Sequence, residues 1–173
     1  LILKLSSLEK TKNHLSKKTT IDNPNLIQVS KKIYVPHRVE PLKVELWKDK
    51  NHISQNDLII FMPGLGGDIN NFRWIGRELS KRGWPVLFID HKGSNSIALL
   101  EVLEGSNTIP TSADFFLNRF KDLDAIIKAH NVGKFGLANN SYILMGHSLG
   151  ALIAFLYEGN LPNENLEYRC DLA

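Results

Sequence analysis

Residues 142–158 read YILMGHSLGALIAFLYE, and at their centre is Gly146-His147-Ser148-Leu149-Gly150. The pentapeptide fits G-x-S-x-G, the sharp strand-to-helix turn that exposes a nucleophilic serine. The apolar run before it predicts a strand, and the run after it, 151–157, predicts a helix buried nearly all round. Because the backbone crosses itself so closely in this turn, a side chain at either glycine would clash. We therefore predict Ser148 as a nucleophile, the alternative being an ordinary capping serine.

A serine hydroxyl needs a partner before it becomes a good nucleophile. A positioned base must take its proton, and where this turn is used the acid and the histidine follow the serine in the chain. Only 23 residues follow Gly150, and none of them is a histidine. We therefore expect the acid and the base to be absent from these 173 residues, and this chain alone to be nearly inactive.

An oxyanion hole requires two backbone N–H groups. The residue after the nucleophile, Leu149, supplies one of them. Residues 57–62 form a continuous apolar run, which predicts a buried strand, and they end in the sequence PGLGG at 63–67. We expect the second N–H from Leu65, just after Gly64, with a plain glycine turn as the alternative.

Apolar strand patterns and helical patterns alternate along the rest of the chain. Strands are predicted at 32–35, 44–47, 84–89 and 168–173, and helices from about 70 to 83, around 97–103 and from 111 to 130. The first long helix is expected to be capped by Asn70 or Asn71. This alternation predicts an α/β fold, a mostly parallel sheet with helices on both faces.

Several other residues could take part in the site. His147 lies within the strand-to-helix turn of residues 146–150, the elbow, and we expect its ring to pack against the sheet. His91 ends a predicted strand and is expected on the rim, contacting substrate or hydrogen-bonding within its loop. Asp122 and Asp124 are interpreted as the solvated side of their helix. Asp171 is a candidate catalytic acid, although it begins its strand instead of ending it.

Composition narrows the functional classes. The net charge is +3, but residues 1–50 carry 11 Lys or Arg against 5 Asp or Glu. We interpret residues 1–28 as a flexible, solvated basic arm, because its scattered lysines show no nucleic-acid-binding pattern. The single cysteine, Cys170, cannot form an internal disulfide, which favours the cytoplasm. No metal or nucleotide motif occurs and no run is long enough to span a bilayer, so no cofactor and no transmembrane segment are expected.

Three stretches together resemble the α/β-hydrolases: Phe61–Gly67, Arg82–Val86 leading to Asp90–Ser94, and Gly146–Gly150. More narrowly, the chain resembles the branch with platelet-activating-factor acetylhydrolases and dienelactone-hydrolase-like bacterial esterases. The resemblance runs from about Val35 to the end and makes residues 29–173 the N-terminal portion of such a domain, truncated before its last strands. It implies that Ser148 is the nucleophile and that Leu65 and Leu149 are the oxyanion donors.

Two positions depart from the family pattern. Pro63 stands where relatives usually have histidine. This difference changes the hydrogen bonding around residues 63–67, the expected oxyanion loop. Dienelactone hydrolases use a cysteine nucleophile, so Ser148 favours ester hydrolysis over that reaction. The family's acid and histidine lie on later strands that this sequence does not contain.

The function expected from these features is hydrolysis of a carboxylic ester through an acyl-enzyme. The substrate would be a small-molecule or lipid ester, since Leu65, Leu149, Trp74 and the loop 92–110 suggest an apolar acyl pocket. Two alternatives stay open: an acyltransferase on the same fold, and a non-catalytic binding module or degenerate fragment. An open sheet edge beside the elbow strand also predicts poor solubility of the isolated chain.

Overall fold

A computed structural model describes residues 25–51, 56–106, 113–138 and 140–159. Its five strands are β1 (Leu26–Ile33), β2 (Leu42–Asp49), β3 (Leu58–Met62), β4 (Val86–Asp90) and β5 (Tyr142–Gly146). Its four α-helices are α1 (Arg73–Ser80), α2 (Ser96–Leu103), α3 (Ala113–Asn131) and α4 (Leu149–Glu158), and a 3₁₀ turn spans Ile69–Asn71.

The strands form one sheet in the order β1-β2-β4-β3-β5. A short loop joins β1 to β2, so the two pair antiparallel, and β2 also pairs antiparallel with β4. β3 runs parallel to both β4 and β5, and helical connections link these three strands along the chain. The predicted α/β class is thus confirmed, and both antiparallel pairs of the sheet involve β2.

Helices cover both faces of this sheet. All five residues of β3 and the first four of β4 are buried, as expected for strands covered on both sides. Alternate residues of these strands face α3 and α4 on one side, where Leu123 and Ile153 are fully buried. The other residues, including Phe61 and Phe88, form a second cluster with Trp47 and the apolar side of α1. The end of β3, which meets the turn at residues 146–150, therefore lies in the buried part of the sheet.

The structure corrects three predictions about elements. β1 begins at Leu26, so residues 26–28 belong to the sheet and not to the arm. Neither Asn70 nor Asn71 provides the side-chain cap. Asp68 caps the 3₁₀ turn that precedes α1, and its side chain accepts a hydrogen bond from the backbone N–H of Asn70. α4 is not buried all round, because Leu152 and Phe155 are exposed. An apolar sequence does not reveal which sides of a helix have neighbours.

Some predictions fall on residues that the structure does not describe. These are residues 1–24 of the arm, positions 111 and 112 at the start of the helix predicted from 111 to 130, and the predicted strand at 168–173 with Asp171. Within the described ranges, no helix has both the length and the apolar character needed to cross a bilayer.

Candidate active site

Ser148 occupies the turn between β5 and α4 in a strained conformation. Its φ is 52° and its ψ is −120°, and among the described non-glycine residues only Ser148 has a positive φ. Such a conformation costs an L-amino acid about 1–3 kcal/mol, so the surrounding structure must impose it. The residue is exposed, and its side chain makes no capping bond to the helix that it precedes. The hydroxyl is thus presented to solvent at the sheet edge.

The two elbow glycines lie where backbone segments touch. A Cβ built on Gly150 would lie 1.9 Å from the carbonyl oxygen of Met62, at the end of β3. A Cβ on Gly146 would lie 2.3 Å from the carbonyl carbon of Gly150. No side chain fits at either position, so α4 starts directly against β3 and the turn is as tight as the sequence pattern predicts.

The loop of residues 63–67 lies beside the elbow. A Cβ on Gly64 would come within 3.0 Å of the Ser148 Cβ. In this loop the Gly66 N–H donates to the Ser94 carbonyl at 2.8 Å, and the Gly67 N–H donates to the Gly64 carbonyl at 3.1 Å. Among the described residues, the Leu65 N–H makes no such bond, and the N–H of Leu149 has no acceptor within α4 because it opens the helix.

A buried arginine, which the sequence analysis did not identify, anchors this loop from behind. Arg119 of α3 donates from Nη1 to the Pro63 carbonyl at 2.8 Å and from Nη2 to the Gly64 carbonyl at 3.2 Å. Its Nε and Nη2 also donate to the Ser94 hydroxyl, which in turn donates to the His91 carbonyl. Burial lowers the pKa of Arg119 to about 10, so its guanidinium remains charged at neutral pH.

Asp122, one helical turn further along α3, is buried and not solvated as predicted. Its carboxylate accepts hydrogen bonds from both nitrogens of the Arg38 fork, from His37 Nε2 at 2.7 Å and from His91 Nδ1 at 2.8 Å. Burial alone would raise the pKa of Asp122, but the bonds from His91 and Arg38 outweigh it and lower that pKa to about 2. The polar residues of α3 therefore join the loop before β2, the end of β4 and the loop of residues 63–67.

His91 is buried below the surface and does not lie on the rim. It is 2% exposed, and its Nε2 has no hydrogen-bond partner among the described residues. Burial lowers the pKa of His91 to about 4, well below the value near 7 that suits a general base. The pair of His91 and Asp122 resembles two members of a catalytic triad, but its imidazole is enclosed and makes no hydrogen bond to Ser148.

His147 also departs from its prediction. It is exposed instead of packed against the sheet, and its ring centroid lies 5.4 Å from that of Phe72. Within the described part of the chain, no histidine forms a hydrogen bond with the Ser148 hydroxyl, and no group of three His, Cys, Asp or Glu could hold a metal ion. The described residues bring together an elbow serine and two free N–H groups, but not a base.

Solved structures with this fold include several hydrolases. A dienelactone hydrolase from Anabaena variabilis is 16% identical, with a TM-score of 0.55, and the match covers 77% of this chain and 57% of that one. A bacterial heroin esterase is 11% identical, with a TM-score of 0.60 and coverages of 91% and 47%. A cold-adapted esterase from an Arctic intertidal metagenomic library is 14% identical, with a TM-score of 0.53 and coverages of 79% and 55%.

The chain spans about half the length of these solved structures. At these identities the likeness concerns the fold. No curated protein matches the sequence. Residues 54–166, which are more than half of the chain and include both the glycine loop and the elbow, match the family described as serine aminopeptidase, S33. The chain therefore belongs to this serine aminopeptidase family of α/β-hydrolases.

Proposed function

We propose that the protein containing this chain hydrolyses carboxylic esters through an acyl-enzyme on Ser148. The observation that carries this proposal is the position of Ser148. Its backbone is held at a φ of 52° between β5 and α4, and its Cβ borders Gly64 of the oxyanion loop. Holding a serine in so strained a conformation is costly, and strain of this kind concentrates at sites where it serves a function.

The chemistry follows from three groups. The Ser148 oxygen attacks the ester carbonyl while a histidine, which the described residues do not supply, takes the hydroxyl proton. Negative charge then develops on the carbonyl oxygen and is stabilised by the N–H groups of Leu65 and Leu149. Each such donor contributes about 3–4 kcal/mol to the transition state. The alcohol leaves with the proton from the histidine, and water then releases the acid from the serine by the same steps.

Apolar side chains beside the oxyanion loop support an apolar acyl group in the substrate. Leu65 is 44% exposed although it belongs to the loop itself. Leu99 of α2 lies directly against Gly66, where a Cβ would come within 2.4 Å of its side chain. Elsewhere on α2, Ile97, Leu100 and Leu103 are exposed. A small-molecule or lipid ester with a hydrocarbon acyl chain would cover part of this surface.

Peptide hydrolysis is the second candidate, because the family description names a serine aminopeptidase. The same serine and the same N–H groups would serve an amide, with an amine as leaving group. The ester is favoured by the solved structures described above, since two of these three are named as esterases. The two substrates are separated by measuring both activities on one preparation.

The test uses the full-length protein and its Ser148→Ala variant. We expect a fluorophosphonate probe to label the wild type and not the variant, with the modified peptide containing Ser148. We also expect hydrolysis of 4-nitrophenyl butyrate and octanoate, with little release of 4-nitroaniline from leucine 4-nitroanilide. Faster anilide hydrolysis would assign the peptidase activity instead. Absence of both labelling and turnover would overturn the proposal and favour a binding module.

A further inference from the structure

Arg119 combines full burial with contacts that all converge on one loop. The residue is 2% exposed, and its guanidinium donates to the carbonyls of Pro63 and Gly64 and to the hydroxyl of Ser94. Ser94 holds the same loop through its own backbone, since its carbonyl accepts the Gly66 N–H. Removing a guanidinium from water is costly, and these bonds compensate for that cost.

The carbonyl of Gly64 and the N–H of Leu65 belong to the same peptide group. A trans peptide is planar, so these two groups point in opposite directions. Arg119 Nη2 and the Gly67 N–H both bind the Gly64 carbonyl, at 3.2 and 3.1 Å, and they hold it toward the body of the fold. The Leu65 N–H must then point away from the guanidinium, and it is left without an acceptor among the described loops.

Arg119 also acts on this peptide through its charge, and not only through the geometry of its hydrogen bonds. A cation bound to a carbonyl oxygen draws electron density toward that oxygen, which makes the N–H at the other end a stronger donor. The oxygen that accepts this N–H during ester hydrolysis gains negative charge only in the transition state. A better oriented and more polarised donor therefore favours the transition state over the bound substrate.

We propose that Arg119 is a positioning residue that orients and polarises the Gly64–Leu65 peptide so that the Leu65 N–H serves as an oxyanion donor. This inference rests on the function proposed above. A positioning role and a purely structural role differ in the quantity that a substitution of Arg119 would change. A structural arginine affects the free energy of unfolding alone, whereas Arg119 sets the turnover number with little effect on substrate binding.

The experiment compares Arg119→Lys and Arg119→Met with the wild type, each in the full-length protein. The ester substrate gives kcat and KM, and a boronic acid that forms a tetrahedral adduct with the serine reports on transition-state complementarity. For Arg119→Met we expect kcat to fall about 10- to 100-fold, less than the loss of a whole donor, with KM changed less than about threefold. The boronic acid should lose affinity by the same factor, and Arg119→Lys should lie between.

Arg73 provides the matched control. Its side chain is only partly buried, and it pairs with Glu45 at 2.7 Å and not with the oxyanion loop. Arg73→Gln should lower the melting temperature and leave kcat within about twofold. Should Arg119→Met fail to fold, Arg119→Lys decides, because it keeps the charge and loses the forked geometry.

The possible results separate the two proposals. Folded Arg119 variants with wild-type kcat and boronic acid affinity would overturn the positioning role and leave ester hydrolysis intact. A rise in KM with unchanged kcat would also overturn it, because it would place Arg119 in substrate binding. A wild-type protein that neither reacts with the fluorophosphonate nor turns over would overturn the proposed function, and the positioning role with it.

Discussion

The Nδ1 atom of His91 lies 2.8 Å from Oδ2 of Asp122, and both side chains are shut off from solvent. With its pKa lowered to about 2, Asp122 is ionised and can only accept hydrogen bonds. Nδ1 of His91 therefore carries the proton and donates it. Since Arg38 and His37 bind the same carboxylate, one side chain of α3 joins the loop before β2 to the end of β4.

Removal of the Asp122 charge should be strongly destabilising. In Asp122→Asn, the partly buried guanidinium of Arg38 loses its counter-charge, and the new amide nitrogen faces the donors of Arg38, His37 or His91. We expect a loss of about 3–5 kcal/mol in the free energy of unfolding, measured by urea denaturation. The control is Asp124→Asn, which breaks an exposed pair with Lys128 at 2.6 Å and should cost less than about 0.5 kcal/mol. Equal effects of the two variants would contradict the buried network.

The buried imidazole should make stability depend on pH. The pKa of His91 is about 4 in the folded protein, lowered by burial, against 6.5 for an ordinary histidine. Between pH 6.5 and 4 the unfolded chain binds a proton that the folded protein does not. The free energy of unfolding therefore falls as the pH falls through this window, by up to about 1.4 kcal/mol per pH unit. Below pH 4 the lowered pKa of Asp122 continues the loss.

The pH effect of His91 is isolated by His91→Asn. The asparagine amide can still donate to Asp122, but it does not titrate. Urea denaturation at pH 4.5, 5.5, 6.5 and 7.5 should show a shallower slope for the variant than for the wild type. Identical slopes would mean that His91 does not carry the pH dependence.

The backbone strain at Ser148 should appear as a difference in stability between two variants of this residue. Ser148→Gly relieves the unfavourable φ of 52°, whereas Ser148→Ala keeps it. After allowing for the greater freedom of glycine in the unfolded chain, we expect Ser148→Gly to be about 1 kcal/mol more stable than Ser148→Ala. Both variants should fail to react with a fluorophosphonate. Equal melting temperatures for the two would argue that the elbow stores no strain.

A methyl group at Gly150 should disrupt the elbow. Its Cβ would lie 1.9 Å from the Met62 carbonyl oxygen, so β3 and α4 would have to separate. We expect Gly150→Ala to cost more than about 3 kcal/mol. Gly133→Ala is the comparison, because Gly133 has a φ of 76° but no atom within 4 Å of a built Cβ. It should cost only about 1 kcal/mol, the penalty of the left-handed conformation.

The outer edge of β5 should promote association of the 173-residue chain. Within the described residues β5 pairs only with β3, and Ile143 and Phe155 are exposed beside that edge. Unpaired strand edges with apolar side chains bind other copies. Ile143→Lys should shift the chain toward monomer in size-exclusion chromatography with light scattering. A wild-type chain that is monodisperse and melts cooperatively would contradict this expectation.

The elbow and the strands were predictable because their signals are local. The apolar runs at 58–62 and 86–89 are buried on both faces, and the glycines at 146 and 150 leave room for a backbone crossing within a few residues. A pattern that depends on neighbours in the chain can be recognised without the fold. The glycine loop at residues 63–67 was recognisable for the same reason.

The buried polar contacts next to the site depend on the tertiary structure. Arg119 and Asp122 are polar residues in a helix, and their sequence spacing is equally compatible with a solvated face. Their partners lie 56 and 84 positions away, at Pro63 and Arg38, and only the packing of α3 on the sheet brings them together. The amino-acid sequence by itself determined the fold class, the strained serine and the glycines at which backbone segments touch. Which charges are buried depended on the packed fold, because burial and pairing arise from contacts between distant segments.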